Sequence, residues 1–310
     1  MRARTYERRP GFSVVIPAYN YAHVIERALA SAVAQEYAPF EVIVINDGST
    51  DDTDRVLAEL AGRLPGPFRV IDQANAGLAA VRNRGLKEAR HDWLLFLDAD
   101  DELCPGALAR LAGTIAAAPA ARLIIGGHLA DDGRRRDRIT PPPVSDDPRR
   151  NLRAYLDKTL TLSNGACAMH RDLFARTAYD PALRHTEDLP VFAHVLANYP
   201  VAVSPEPVAV IHKHPDSMRH DLDAALAVGM DLEAMIFDDN GLPAWAAGDR
   251  RRYRARRAIS LLKLADRHRR PDLVRRFFRV ALRADWRQAL HPRYLRRYLA
   301  SFIRGTGDRT

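Results

Sequence analysis

Two cysteines are all that 310 residues hold, and Cys104 and Cys167 stand in no CxxC or metal-ligand spacing. That excludes a disulfide framework and a thiolate metal centre, and it fits a reducing compartment. Aromatic residues make up only 7%, and the five methionines are scattered without pattern. No apolar run approaches the roughly 20 residues of a membrane-spanning helix. The opening MRARTYERRPGF is basic but has no apolar core before the first strand, so a secretory signal is not expected. No GxGxxG or Walker pattern surrounds Gly48 or Gly77, which reads both as turn residues rather than phosphate cradles. A cytoplasmic protein, soluble or peripheral, is the expectation.

The hydrophobic and charged fractions, 47% and 28%, are those of an ordinary globular chain. The length suits one large α/β domain with an appendage, or two modest domains. Apolar runs at Phe12–Ala18, 40–45, Phe68–Asp72 and 93–97 read as buried strands. Between them, 22–35, 51–64 and 78–89 carry helical periodicity, with Ser49 or Thr50 as N-cap of the second. Strands alternating with helices at this pitch predict a parallel, doubly wound sheet. Further on, 106–117 reads as a helix, 122–126 and 164–170 as strands, and the Pro-rich, charged 130–150 as a flexible loop. Val201 to Ile211 reads as an edge strand because Pro205 and Pro207 interrupt it. Everything from Asp221 onward reads helical. The expected division is a catalytic domain over 1–220 and a basic helical extension over 221–310.

The fourth strand ends abruptly in Asp98-Ala99-Asp100-Asp101. Ligands of open α/β sheets sit beyond the carboxyl ends of the strands, where these acids fall. Clustered carboxylates repel one another unless something positive joins them, and hard oxygen ligands suit Mg²⁺ or Mn²⁺ bridging to phosphates. The plain alternative is a solvated loop that caps the next helix. Three other segments place polar residues after strands or before a helix: Asn20, Asp47 and Glu187-Asp188.

In this order and spacing, the motifs Val14-Val15-Ile16-Pro17-Ala18-Tyr19-Asn20, Val44-Ile45-Asn46-Asp47-Gly48-Ser49-Thr50-Asp51, Asn75-Ala76-Gly77-Leu78-Ala79-Ala80-Val81-Arg82-Asn83, Asp98-Ala99-Asp100 and Thr186-Glu187-Asp188 resemble the family 2 glycosyltransferases. The resemblance covers roughly 12–220. It implies a GT-A, Rossmann-like and mostly parallel sheet flanked by helices, and inverting transfer from a nucleotide sugar. It further implies Asp100 as ligand to a divalent metal, Mg or Mn, with Asp98 nearer the ribose and the metal's water shell. Asp47 would contact the nucleobase, and Pro17, Ala18, Tyr19 and Asn20 would line the nucleotide pocket. Gly77 and Ala99 complete the donor-binding set, and Arg82 would pair with phosphate or with one of the acids. Asp188 falls at the position of the general base, with Glu187 assisting by repulsion or holding the acceptor. Thr-Glu-Asp before an apolar helix is also a good N-cap, and the two readings are compatible. His212, His214, Ser217 and Arg219 form a polar cluster after the last strand, with His214 the candidate third metal ligand.

The basic balance has an address. From Arg250 to Arg304 there are eighteen Arg and one Lys against three acids, which exceeds the whole chain's net charge of +8. Ala258, Leu261, Leu262 and Ala265 share a helix face, as do Leu295, Tyr298, Leu299 and Phe302. Basic amphipathic helices suit an anionic membrane surface, so a lipid-linked glycan or lipopolysaccharide-type acceptor at the inner face of a bacterial membrane is expected. Binding of an acidic acceptor, or simple packing, are the alternatives. No nucleic-acid motif accompanies the charge, and the oligomeric state is not encoded. Processive synthases of the family carry membrane spans and a Gln-x-x-Arg-Trp motif, absent here, so single addition is expected. Two other functions fit less well. A nucleotidyltransferase would open with a Gly-rich loop where Pro17-Ala18-Tyr19-Asn20 stands, and a non-catalytic adaptor would have lost acids that are all present.

Overall fold

The computed structural model describes residues 9–66, 68–183, 186–213, 221–238 and 241–304. His214, Ser217, Arg219 and the expected domain boundary at 220 lie outside the described residues. Two compact units are interleaved along the chain. One takes Met1–Pro148, Leu160–Ala182 and Tyr199–His214, and the other Arg149–Thr159, Leu183–Asn198 and Pro215–Thr310.

The first unit is built on a mixed sheet. Strands β1 (Phe12–Ala18), β2 (Phe40–Asn46), β3 (Phe68–Asp72) and β4 (Trp93–Phe96) alternate with helices α1 (Ile25–Val33), α2 (Thr53–Arg63) and α3 (Leu78–Glu88). They pair in parallel in the order β3-β2-β1-β4. Side chains alternate across a strand, so each strand feeds two faces. Phe12, Val14, Ile16, Val42, Val44, Trp93 and Leu95 share one apolar core with residues of α1 and α2. Val15 turns to the other face, where Gly85 of α3 comes so close that a Cβ would lie 2.6 Å from Val15 Cγ1. Burial on both faces explains why these strands read as unbroken apolar runs rather than alternating ones.

Beyond β4 come β5 (Glu102–Leu103), α4 (Ala107–Ala117), β6 (Leu123–Asp131), β7 (Arg136–Ile139), β8 (Cys167–His170) and β9 (Val201–His212). The sheet continues β4-β8-β6-β9-β5, with β7 on β6. Here β8 runs antiparallel to both neighbours and β9 parallel to β6, so the sheet is parallel over its first half and mixed over the second.

Three local expectations are corrected. β9 is not a plain edge strand: it pairs with β6 along its length and with β5 at Ala209 and Val210. Its Pro-containing half lacks a second strand partner among the described residues. There the register against β6 slips from Gly126↔Ser204 to Gly127↔Pro207, which absorbs the missing proline donors. The loop expected over 130–150 contains β7, because Asp131 accepts from Gly133 N (2.8 Å) and from Arg136 Nε (2.7 Å) and closes a hairpin. The N-cap of α2 is neither Ser49 nor Thr50 but Asp52, whose side chain makes no capping bond; Asp51 before it accepts from the Thr53 amide at 3.0 Å and its hydroxyl at 2.5 Å.

The second unit is helical: α5 (Pro148–Leu156), α6 (Asp188–Asn198), α7 (Leu222–Val228), α8 (Leu232–Phe237), α9 (Arg250–Arg267), α10 (Pro271–Ala284), α11 (Trp286–Ala289) and α12 (Pro292–Arg304). The expected face Ala258, Leu261, Leu262 and Ala265 is buried, in one cluster with Leu273, Val274, Phe277, Phe278 and Ala281 of α10. Arginines of α9 knit the unit together. Arg250 and Arg254 reach Glu233 at 2.7 and 2.6 Å, Arg256 reaches Asp157 at 2.8 Å and Arg252 pairs with it as well. No described helix is long and apolar enough to cross a membrane.

At the register slip, the backbones of β6 and its neighbours approach too closely for side chains. A Cβ on Gly126 would lie 2.3 Å from Val208 Cγ2 and 2.7 Å from Ala166 O. Gly126→Ala is expected to destabilise the protein by about 1–3 kcal/mol through overpacking, read as a lower urea midpoint at unchanged m-value. An unchanged midpoint would mean that the slip is not tightly packed.

Candidate active site

Because β1 to β4 are parallel, their carboxyl ends open on one edge, and the loops leaving them meet there. The loop after β1 is tied to the loop after β2 through Asn20. Its amide donates to Ser49 Oγ at 3.0 Å, and its Oδ1 accepts from the Thr50 amide at 2.7 Å. Asn20 itself adopts φ +61°, a conformation that Asn tolerates better than most residues. Pro17 and Ala18 are buried and Tyr19 is 44% exposed.

Asp47 organises the next connection. Its Oδ1 accepts from Gln73 Nε2 (2.8 Å) and Ala76 N (2.9 Å), and its Oδ2 from Gly77 N (2.8 Å). The carboxylate is 3% exposed, so three N–H donors stand in for water around a buried charge. They fill three of roughly four lone-pair positions of an ionised carboxylate. The same contacts aim the start of α3, whose Gly77 takes φ +87°. Gly48 takes φ +67°, and a Cβ there would lie 2.9 Å from Asn75 N. Both glycines are therefore turn residues, as the missing phosphate-loop patterns suggest.

The acids after β4 are held from several sides. Arg82 of α3, 3% exposed, donates to Asp98 Oδ1 at 3.2 Å, with its guanidinium over the Tyr179 ring at 5.4 Å. Tyr179 is fixed in turn by a reciprocal pair with Asn83, at 2.6 and 3.1 Å. Arg27 of α1 donates to the Asp100 carbonyl at 2.6 Å and pairs with Glu102 at 3.4 Å. The His212 amide donates to Asp101 Oδ1 at 2.8 Å, and its ring meets Glu102 Oε1 at 2.8 Å. Ala99 is buried between the acids. Burial first, then the charges of Asp98 and Asp100, push the Asp101 carboxyl up to about 8. The Tyr21 hydroxyl is pushed up by burial and then by Asp100, Asp98 and Asp101. Burial leads in both shifts and the neighbouring acids add to it.

The donor chemistry of these acids is the test of whether a cation fits. Among the described residues, no three His, Cys, Asp or Glu side chains converge closely enough to hold a metal alone. Asp98, 38% exposed, and Asp100, half-buried, are hard oxygen donors whose mutual repulsion a divalent ion would relieve. Such an ion would complete its shell with water and phosphate oxygens, as Mg²⁺ commonly does. The residues present fit it on those terms.

Glu187 and Asp188 belong to the helical unit, where Asp188 opens α6 and Glu187 is 5% exposed. Thr186 Oγ1 is buried without a hydrogen-bond partner among the described residues, so its hydroxyl does not cap α6. Arg27, Tyr21 and Tyr179 escape sequence reasoning. Arg27 is one basic residue inside an apolar helix pattern, and Tyr179 acts on Asp98 only through Arg82.

The Rossmann-like, mixed sheet flanked by helices defines an α/β class, and solved structures narrow it to the GT-A fold. TarS from S. aureus in complex with UDP-GlcNAc matches with a TM-score of 0.62 at 20% identity, over 94% of this chain and 89% of that one. The mannosyltransferase PcManGT from Pyrobaculum calidifontis, in complex with GDP-Man and Mn²⁺, matches with 0.60 at 18% identity, over 98% and 89%. Residues 13–177, just over half of the chain, match Glycosyl transferase family 2, and the chain belongs to that family. Among curated relatives, the glycosyltransferase YibD of Escherichia coli is 40% identical over 93 residues, 30% of this chain and 27% of that protein. The succinoglycan biosynthesis protein ExoO of Rhizobium meliloti is 30% identical over 208 residues, 64% of this chain and 59% of that one. The chain spans about a third of the first curated relatives' own length, 31% for the glycosyltransferase alr2836 of Nostoc.

The Asp47 contacts make a structural forecast. Asp47→Ala strands three donors at a buried position and should lower stability by at least about 2 kcal/mol in urea unfolding. A smaller loss than about 0.5 kcal/mol would show that this carboxylate does not hold the 73–77 loop.

Proposed function

We propose that the protein transfers one sugar from a nucleotide-sugar donor to a hydroxyl of a cell-surface glycan or lipid-linked acceptor, with inversion at the anomeric carbon and assistance from Mg²⁺ or Mn²⁺. The observation that carries this reading is the acid cluster at the end of β4, braced by Arg82, Arg27 and the His212 amide. Family membership supports the transferase class. A relative named for succinoglycan biosynthesis supports a polysaccharide acceptor.

Asp100 and Asp98 would hold the divalent ion, with His214 the proposed third ligand. The ion supplies charge neutralisation of the diphosphate as it departs. The chain's own residues do the rest. Arg82 fixes the Asp98 carboxylate from the α3 side, and Asn20 and Asp47 fix the loops that flank the nucleotide. Asp47 retains one acceptor position for a nucleobase N–H, while Pro17, Ala18, Tyr19, Gly77 and Ala99 line the donor pocket. Asp188 accepts the proton of the acceptor hydroxyl as its oxygen bonds to the anomeric carbon. The bond from that carbon to the diphosphate oxygen breaks in the same displacement, which is why the configuration inverts. Glu187, buried beside Asp188, orients the acceptor or raises the basicity of Asp188 by like charge.

Two variants separate binding from chemistry. A ligand that binds only the native state raises its melting temperature, so wild-type protein should show a Mn²⁺-dependent rise with UDP, GDP or dTDP species. Asp100→Asn should abolish that rise. Asp188→Asn should keep it and lose about 10²- to 10⁴-fold in turnover, the usual contribution of a general base. Intact turnover by Asp188→Asn removes that residue from the role. A full Mn²⁺-dependent rise in Asp100→Asn removes Asp100 from the metal.

A further inference from the structure

Among the described residues eight large apolar side chains are exposed, and six of them lie between 282 and 303. The face expected from Leu295, Tyr298, Leu299 and Phe302 splits in the structure. Tyr298 stacks on Phe278 with ring centroids 4.1 Å apart, and Leu295 packs against the helical core. Leu299 is left 56% exposed, Phe302 47% and Ile303 78%. Positions 296, 299 and 303 follow one another at helical spacing, so Arg296, Leu299 and Ile303 form a single stripe along α12.

The arginines divide in the same way. Arg250, Arg252, Arg254 and Arg256 of α9 end on Glu233 or Asp157, and Arg257 on the Gly229 and Ala225 carbonyls, all inside the unit. Arg276, Arg279, Arg283, Arg293 and Arg296 are exposed, and no carboxylate pairs with them among the described residues. Beside α12, half-buried Lys263 of α9 has Arg293, Arg267, Arg297 and Arg256 as its charged neighbours, and after packing these push its ammonium down. Lys158 joins the group through Ser260, with Nζ 3.3 Å from Oγ.

We propose that the outer face of α12, with the Lys263 edge of α9, docks on an anionic phospholipid bilayer: Leu299, Phe302 and Ile303 enter the headgroup boundary, and Arg293, Arg296 and Lys263 meet the lipid phosphates. Charge selects this occupant. A second copy of the chain would bring the same arginines against themselves, and a nucleic acid offers nothing apolar to the Leu299–Ile303 stripe. Cations interleaved with exposed apolar side chains on a helix match a bilayer surface on both counts. The proposal stands independently of the transferase reading, since it is read without turnover.

The test is co-sedimentation of the full chain with phosphatidylcholine vesicles, with and without phosphatidylglycerol. Wild-type protein should bind only the phosphatidylglycerol vesicles, and less as salt rises. Arg293→Glu/Arg296→Glu should lower partitioning by at least about tenfold, from the contribution of each basic residue at an anionic surface. Leu299→Ser/Ile303→Ser should weaken binding while keeping its salt dependence. These side chains are exposed, and circular dichroism checks that both variants fold. Equal binding to pure phosphatidylcholine, no binding to either vesicle, or unchanged partitioning of the arginine variant overturns the proposal. So does a wild-type dimer in light scattering that the Leu299→Ser/Ile303→Ser variant dissolves.

Discussion

Three carboxylates in four residues at the end of β4 are the constraint around which the sheet unit is arranged. Left in a dry strand end, Asp98, Asp100 and Asp101 would repel one another strongly. The fold answers with contacts from three directions: Arg82 from α3, Arg27 from α1 and the backbone of His212 from β9. Arg27 and Arg82 depend on the parallel register that carries β1, β2 and β4 to the same edge, and His212 on the antiparallel pairing of β9 with β5. The Asp101 carboxyl and Tyr21 hydroxyl are raised by burial first and by the neighbouring acids second.

Asp47 solves a different problem with the same chemistry. It is buried, charged and surrounded by N–H donors, so its energy is spent on shaping the 73–77 loop and the entry to α3. Through α3 it also positions Arg82, and through Arg82 the Asp98 carboxylate. The 73–77 loop and the acid cluster are therefore mechanically linked by one short helix, Leu78–Glu88.

Much of this was legible in the sequence. β1 and β3 fall on the residues expected, because strands buried on both faces leave unbroken apolar runs between polar turns. Asp47, Asn20 and the Asp98–Asp101 run stand out because polar residues immediately after such runs have few other reasons to cluster. Long-range devices were not legible. β5 is two residues long and exists only because β9 pairs with it. β7 lay inside a stretch whose composition reads as loop, and the register slip at Gly126 and Gly127 depends on prolines some eighty residues away. Arg27 and Tyr179 acquire meaning only when the sheet brings α1 and the 164–179 segment beside β4. On α12, periodicity marked the apolar stripe but did not tell which of its side chains the helical core would take.

The central claim is that metal and nucleotide bind this acid cluster together, each supplying what the other lacks. Calorimetric titration of the whole chain with Mn²⁺, in the absence and presence of UDP or GDP, tests it most directly. No set of three protein ligands is assembled beforehand among the described residues. The expected result is therefore weak Mn²⁺ binding alone and much tighter binding with nucleotide, with the reciprocal gain for nucleotide when Mn²⁺ is added first. Mn²⁺ binding of equal strength with and without nucleotide would contradict the claim, as would nucleotide binding that Mn²⁺ leaves unchanged.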